Sequence, residues 1–379
     1  MNKIQMVDLG SQYQKIKPQV DNAIMNVVES SAFINGPEVK SFQKELEDYL
    51  NVKHVIPCAN GTDALQIAMM GLGLQPGDEV ITATFTYVAT AEVIALLGLT
   101  PVLVDVDPKT FNIDPEEVKA VISPKTKAIV PVHLFGQCAN MEAILEIAKA
   151  HSLFVIEDTA QAIGASYTFS NGNTAMAGTI GDVGATSFFP SKNLGCYGDG
   201  GALFTNNDQL ADKLRKVANH GQSVRYYHDE VGVNSRLDSI QAAVLRQKLP
   251  HLNTYNVERK KAANFYDEAF ADVKELTTPY RSTNSTHVFH QYTLQLHPSV
   301  NRNALVEHLM GKEIPAMIYY PVALHMQKAY KSDRYNAGDF KVTEELVNTV
   351  FSLPMHTELT TEQLKLITTT VKEFIKSQS

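Results

Sequence analysis

No two cysteines in this chain are spaced to hold a metal or to close a compact disulfide framework. Cys58, Cys138 and Cys196 are the three cysteines of 379 residues. They are odd in number and far apart, with no CxxC motif, so the chain is expected in a reducing, cytoplasmic compartment. Long apolar runs are missing too. The longest, near Ala91 to Val104, is broken by Gly98, Thr100 and Pro101 and falls short of the roughly 20 residues that cross a bilayer. The first residues, MNKIQMVDLGSQYQ, lack the apolar segment of a signal peptide. Positive charge is not in excess: the formal net charge is -8, which argues against a polyanion-binding surface. The densest basic run, Glu258-Arg259-Lys260-Lys261, lies in a helical pattern and reads as a solvated helix face. The expected partners are therefore small molecules and other proteins, with no nucleic acid and no membrane.

Several chemistries lack their motifs. Gly71-Leu72-Gly73 misses the third glycine of GxGxxG, and no GxxxxGK[ST], HExxH or GxSxG occurs. The histidines show no metal spacing, so no metal is expected; His133, ending an apolar run, reads as a satisfied interior or turn residue.

What is present is an alternation. From about residue 38 to 205 short apolar runs alternate with amphipathic stretches, the pattern of a mostly parallel sheet flanked by helices. Val39, Phe42, Leu46 and Leu50 mark one face of a helix that starts after Gly36, with Pro37 in its first turn. Strands are expected at Glu79–Ala83, Pro101–Asp105, Ala128–His133, Leu153–Ile156, Val183–Phe188 and Ala202–Phe204, with a helix over Asn140–Ala150. After Pro250 the texture changes to a helix from His251 to Phe270, an alternating strand HVFHQYTLQL (287–296), a helix near Asn301–Met310, a strand Ile314–Tyr319 and a last helix Glu362–Lys376. The expectation is a large α/β domain over residues 1–250 and a smaller α+β domain over 251–379.

Four clusters in the large domain can carry chemistry, and each has a plainer explanation. Asn60-Gly61-Thr62-Asp63 stands where a strand gives way to a helix; it is an anion site or only a capped turn. Glu157-Asp158 end a buried strand, where open α/β sheets place ligands, or where an Asp caps the next helix. Tyr87, in the segment 84–90, stacks on a planar ring or packs in the core. Lys192 sits between Phe188-Phe189 and the stretch Gly195–Gly201, in which four of seven residues are glycine. A lysine kept neutral condenses with carbonyls, but a lysine in a glycine-rich loop is a weak sign alone. Together the four supply what pyridoxal phosphate needs: a helix N-terminus for the phosphate, a carboxylate for the pyridine nitrogen, an aromatic for the ring and an amine for the aldehyde.

These segments, with Phe33 to Glu38, Pro76 to Ile81, Val132 to Gln137 and Asn234-Ser235-Arg236-Leu237-Asp238, resemble the DegT/DnrJ-type sugar aminotransferases. The resemblance runs from about Val7 to the last helix. It implies the pyridoxal phosphate-dependent transferase fold type I of the aspartate aminotransferase superfamily. It implies Lys192 as the Schiff-base lysine, Asp158 on the pyridine nitrogen, Gln161 on the ring hydroxyl, Tyr87 over the ring, and Gly61, Thr62 and Ser187 on the phosphate. Asn234 is implied to reach the neighbouring subunit's site in a homodimer, with Arg236, Tyr319 and Tyr320 at the sugar. Glutamate is the implied amino donor and the 3-keto group of a nucleotide-linked sugar the acceptor. Within the family the wording is most similar to enzymes acting on UDP-2-acetamido-2-deoxy-3-oxo-D-glucuronate for surface polysaccharides; enzymes of dTDP-3-keto-6-deoxyhexoses share Asn-Ser-Arg-Leu-Asp. Related dehydratases have His in place of the lysine. A regulatory protein that keeps this fold without catalysis is the alternative from another class.

Overall fold

Successive residues of the central strands enter different cores, which is why these strands read as continuous apolar runs. The computed structural model describes residues 3–378. Its main sheet has seven strands: β1 (His54–Cys58), β2 (Glu79–Ala83), β3 (Thr100–Val104), β4 (Thr126–Val130), β5 (Phe154–Asp158), β6 (Val183–Ser187) and β7 (Gly201–Thr205). Their order is β1-β7-β6-β5-β4-β2-β3, with β7 antiparallel to both neighbours and the other pairs parallel. Val80, Ala128, Val130 and Ile156 face one core with helices α3 (Gly61–Gly71), α4 (Ala89–Leu96) and α7 (Asp208–Ala218). Ile81, Ile129 and Val155 face another with α5 (Pro115–Val121) and α6 (Met141–His151). Helices α1 (Leu9–Ser30), α2 (Pro37–Leu50) and α8 (Ser239–Lys248) pack beside the β1/β7 end. The mostly parallel mixed sheet covered on both faces is the expected fold class.

A turn at Leu249–His251 leads into α9 (Leu252–Phe270) and a three-stranded antiparallel sheet of β8 (Leu276–Thr277), β9 (Tyr292–Leu296) and β10 (Val350–Leu353). Helices α9, α10 (Arg302–Gly311) and α12 (Thr361–Gln378) cover it, and Ile4 joins the same core. Helix α11 (Lys341–Thr349) precedes β10.

Three expectations are corrected. Of HVFHQYTLQL only Tyr292–Leu296 is strand; Phe289 takes a positive φ of 48°, and residues 287–290 turn aside to pair with the loop Phe135–Gln137. Ile314–Tyr319 is not a strand: its one ladder contact is Met317 with Ser352, and the Tyr319–Tyr320 peptide is cis. Arg259 is not solvated but 3% exposed, while Lys260 and Lys261 are exposed as expected. Residues 167–177 fold as a small hairpin, Ser166–Thr168 against Thr174–Met176. Among the described residues no helix is long and apolar enough to cross a membrane and no His, Cys, Asp and Glu group is placed to hold a metal.

Candidate active site

The C-terminal ends of β2, β5 and β6 and the N-terminus of α3 converge on one cavity of about 630 Å³, in the size range of cofactor sites. Asn60 caps α3 by accepting from the Asp63 N–H at 2.8 Å. That leaves the Gly61 and Thr62 N–H groups without intrahelical acceptors. Gly61 abuts the end of β6: a Cβ added there would lie 2.7 Å from Ser187 Cβ. Gly61, Thr62 and Ser187 thus form one corner in the cavity wall, suited to a phosphate. Gly61→Ala must push α3 from β6 and is expected to lower stability by about 1–3 kcal/mol, measurable by urea unfolding of the cofactor-free protein.

The pleat of β5 separates the paired carboxylates. Glu157 is fully buried and accepts from the N–H groups of Gly178, Ile180 and Gly181 at 2.9, 2.7 and 2.7 Å and from His133 Nε2 at 2.9 Å. His133 Nδ1 accepts the Ala139 N–H, so the network assigns a neutral ring with its proton on Nε2. Asp158, 8% exposed, lines the cavity instead. It accepts from Thr90 Oγ1 at 3.0 Å and from the Ala160 N–H at 3.1 Å. Burial raises the affinity of Asp158 for a proton; the Ala160 and Thr90 hydrogen bonds and the charge of Lys192 pull it back.

The loop carrying Lys192 is pinned despite its glycines. Phe188 O accepts from the Cys196 N–H, Phe189 O from the Lys192 N–H, and Gly195 O from Lys248 Nζ, each at 2.8 Å. Asn193 Nδ2 donates to Asn256 Oδ1 and Val288 O. The partly covered Lys192 has its amine lowered to about 8 by desolvation, opposed by the charge of Asp158. The single S–H of Cys196 is shared between Phe188 O and Gly198 O, 3.0 and 3.1 Å from Sγ, and burial pushes this thiol up to about 11. It is structural rather than reactive.

Tyr87, 59% exposed, stands in the same wall, 6.3 Å from the Tyr320 ring. Gln161 accepts the Phe135 N–H at 2.6 Å and donates to Tyr320 Oη at 3.1 Å. The structure therefore brings together Gly61, Thr62, Tyr87, Asp158, Gln161, Ser187, Lys192, Tyr319 and Tyr320. It does not bring Asn234 and Arg236 there. Their neighbours Ser235 and Leu237 are buried, Asn234 is exposed and Arg236 half-buried.

A family model described as the DegT/DnrJ/EryC1/StrS aminotransferase family matches residues 14–372. The chain belongs to this family. This aminotransferase is 45% identical over 98% of its length to a pleiotropic regulatory protein of Geobacillus stearothermophilus, covering 99% of that protein. It is 46% identical over 96% of its length to the UDP-2-acetamido-2-deoxy-3-oxo-D-glucuronate aminotransferase of Pseudomonas aeruginosa, covering 98% of it. Among solved structures it matches a DegT DnrJ EryC1 StrS aminotransferase from Brucella abortus at TM-score 0.93 and 43% identity, covering 98% of this chain and 99% of that one. NtdA of Bacillus subtilis, solved with bound cofactor PMP, matches at TM-score 0.91 and 30% identity, covering 99% and 86%.

The aminotransferase's cavity fits pyridoxal phosphate on its own observations. Gly61 lets the start of α3 close against Ser187 at an anion corner, Asp158 lines the cavity, and Thr86 Oγ1, His290 Nδ1 and Gln291 Oε1 are buried in the lining residues without partners. Thr90, His290 and Gln291 escape a reading of the sequence. Thr90, in the first turn of α4, belongs to the same segment 84–90 as Tyr87, a usable signal, whereas His290 and Gln291 are masked by the strand-like alternation around them.

Proposed function

We propose that this aminotransferase, with pyridoxal phosphate as cofactor, moves the amino group of glutamate onto the 3-keto group of a nucleotide-linked sugar. UDP-2-acetamido-2-deoxy-3-oxo-D-glucuronate is the first choice of acceptor, and surface polysaccharide synthesis in the cytoplasm the setting. One observation carries the reading: an amine lowered to about 8 and a buried carboxylate share a cavity with an anion corner. A non-catalytic regulator would have no use for that set.

Gly61, Thr62 and Ser187 would hold the phosphate, Tyr87 would cover the ring, Gln161 would meet the ring hydroxyl, and Asp158 would keep a proton on the pyridine nitrogen. Bound there, the cofactor supplies an electron sink for the carbon beside the transferred nitrogen. Lys192, through its amine, would be the residue that tethers the cofactor until the donor is bound. The freed Lys192 Nζ is then the base that takes the proton from the α-carbon of glutamate and, in the second half, moves a proton at C3 of the sugar. Tyr319 and Tyr320 border the space left for that sugar.

A single chain does not complete this site. Lys192 is the one Lys or Arg among the cavity's described lining residues, yet glutamate and a sugar uronate both bring carboxylates. Residues 222–228 form a projecting ribbon on which Tyr226 and Tyr227 are 76% and 70% exposed. Exposed aromatics of this kind mark a protein interface. The ribbon leads into Asn234 and Arg236, so a second copy is the source of Asn234 at the phosphate and of Arg236 at the sugar carboxylate. Arg236→Ala is expected to raise KM for the uronate sugar about 10- to 100-fold, the worth of one charge-assisted hydrogen bond. Donor turnover should hardly change. Mixing Lys192→Ala with Arg236→Ala subunits should restore activity, because each mixed dimer then holds one intact site. No recovery would place Arg236 in its own chain's site. A mass-spectrometric screen of UDP- and dTDP-linked 3-keto sugars with glutamate tests the acceptor, and no amine gained by the uronate would remove it as first choice.

A further inference from the structure

The cavity wall at His290 is held by devices the proposed reaction does not explain. Gly136 has a φ of 109°, and a Cβ there would come within 3.0 Å of Phe289 N and 3.1 Å of His290 N. Glycine lets these two backbone segments meet. Val288 N–H donates to Gly136 O and His290 N–H to Phe135 O, both at 2.9 Å. From the other side Arg259 Nη1 donates to Phe289 O, His290 O and Met355 O at 3.0, 3.2 and 3.0 Å. This guanidinium is buried, and no carboxylate pairs with it among the described residues. An unpaired buried charge is costly, and what its hydrogen bonds fix is the main chain at His290.

His290 is 7% exposed, lines the cavity with Lys192 and keeps Nδ1 buried without a partner. Burial, then the charges of Lys192 and Arg259, hold its ring well below the usual histidine range, so it is neutral. The other titratable groups lining the cavity are Asp158, Asp199, Tyr87, Tyr319 and Tyr320. None of them makes a hydrogen bond to His290 among the described residues.

We propose that His290 is a positioning residue for Lys192, its neutral ring accepting a hydrogen bond from the Lys192 amine once that amine has taken up the α-proton. It rests on the role given to Lys192 above. A neutral acceptor favours the charged form of the amine and keeps it beside the carbon it serves. Removing the acceptor must therefore lower the proton affinity of Lys192 and slow proton transfer, without weakening glutamate binding.

The test labels Lys192 in the cofactor-free full chain with an amine reagent between about pH 6 and about pH 10, around the ordinary lysine range, read by peptide mass spectrometry. Exchange of the glutamate α-proton with D₂O in the cofactor-loaded enzyme is measured alongside. In His290→Phe the labelling midpoint is expected about one unit lower, with exchange about tenfold slower and glutamate KM unchanged. His290→Asn, which keeps an acceptor, should recover most of both. An unmoved midpoint in His290→Phe, or equal losses in the Asn and Phe variants, overturns the proposal. If the Phe variant does not fold, His290→Ala is labelled with and without added imidazole, and a midpoint that imidazole fails to restore overturns it equally. Because labelling needs no turnover, it separates this role from that of Lys192, which stands or falls on Lys192→Ala.

Discussion

Lys192→Ala is expected to abolish amino transfer, with the rate falling by about 10⁴-fold or more, because in the proposed reaction one change removes both the covalent tether and the proton carrier. Borohydride should no longer fix the cofactor to the protein. Pyridoxal phosphate should still bind, but dialysably, since the corner of Gly61, Thr62 and Ser187 and the carboxylate of Asp158 remain. The intact amine is lowered to about 8. It loses its proton as pH rises through that value, so attachment of cofactor to the stripped wild-type protein should speed up with pH and level off above it. Stopped-flow absorbance of the bound cofactor measures this. A variant that transaminates at the wild-type rate would remove Lys192 from the site.

Asp158→Asn separates catalysis from stability. An amide cannot balance a positive pyridine nitrogen, so the rate of donor turnover should fall by about 10²- to 10³-fold, as when one preorganised electrostatic partner is lost. Stability should move the other way in the cofactor-free protein. Burial raises the pKa of Asp158 above its unfolded value. Its contribution is thus fully present below the unfolded value and lost as pH rises through the folded one. Above the unfolded value that contribution falls away, so at neutral pH the buried carboxyl of Asp158 weakens the empty fold relative to a neutral amide, and the Asn variant should melt higher when stripped. With cofactor added the order should reverse, because wild type alone gains the ion pair. Thermal unfolding of both proteins with and without cofactor decides this, and equal shifts in the two would contradict the role of Asp158.

Much of the site was legible because strand ends and helix starts carry local signals. Pro37 opens α2, and Val39, Phe42, Leu46 and Leu50 form its buried face as their spacing requires. Glu79–Ala83 is the strand expected to the residue. At the ends of β5 and β6 the apolar runs stop at Asp158 and Ser187, which is where a parallel sheet offers side chains to a ligand. The misses share a different cause. HVFHQYTLQL alternates like a strand, but hydrogen bonds to Phe135 and Gly136 compete with the sheet for residues 287–290. The charged run at Arg259 reads as solvent-facing. Its burial follows from three carbonyls of two distant segments, 289–290 and 355, meeting around one guanidinium.

By itself the sequence determined the alternating α/β order, the class of chemistry and the residue types at the ends of β5 and β6, because period and turn chemistry act over a few neighbours. Only the tertiary structure decided which of Glu157 and Asp158 meets the cavity, that Cys196 is satisfied by two carbonyls, and that Asn234 and Arg236 lie outside their own chain's cavity. It alone put His290 and Lys192 in the lining of one cavity. Those outcomes depend on groups far apart in the chain, whose burial and hydrogen bonding exist only after the sheets and helices have packed.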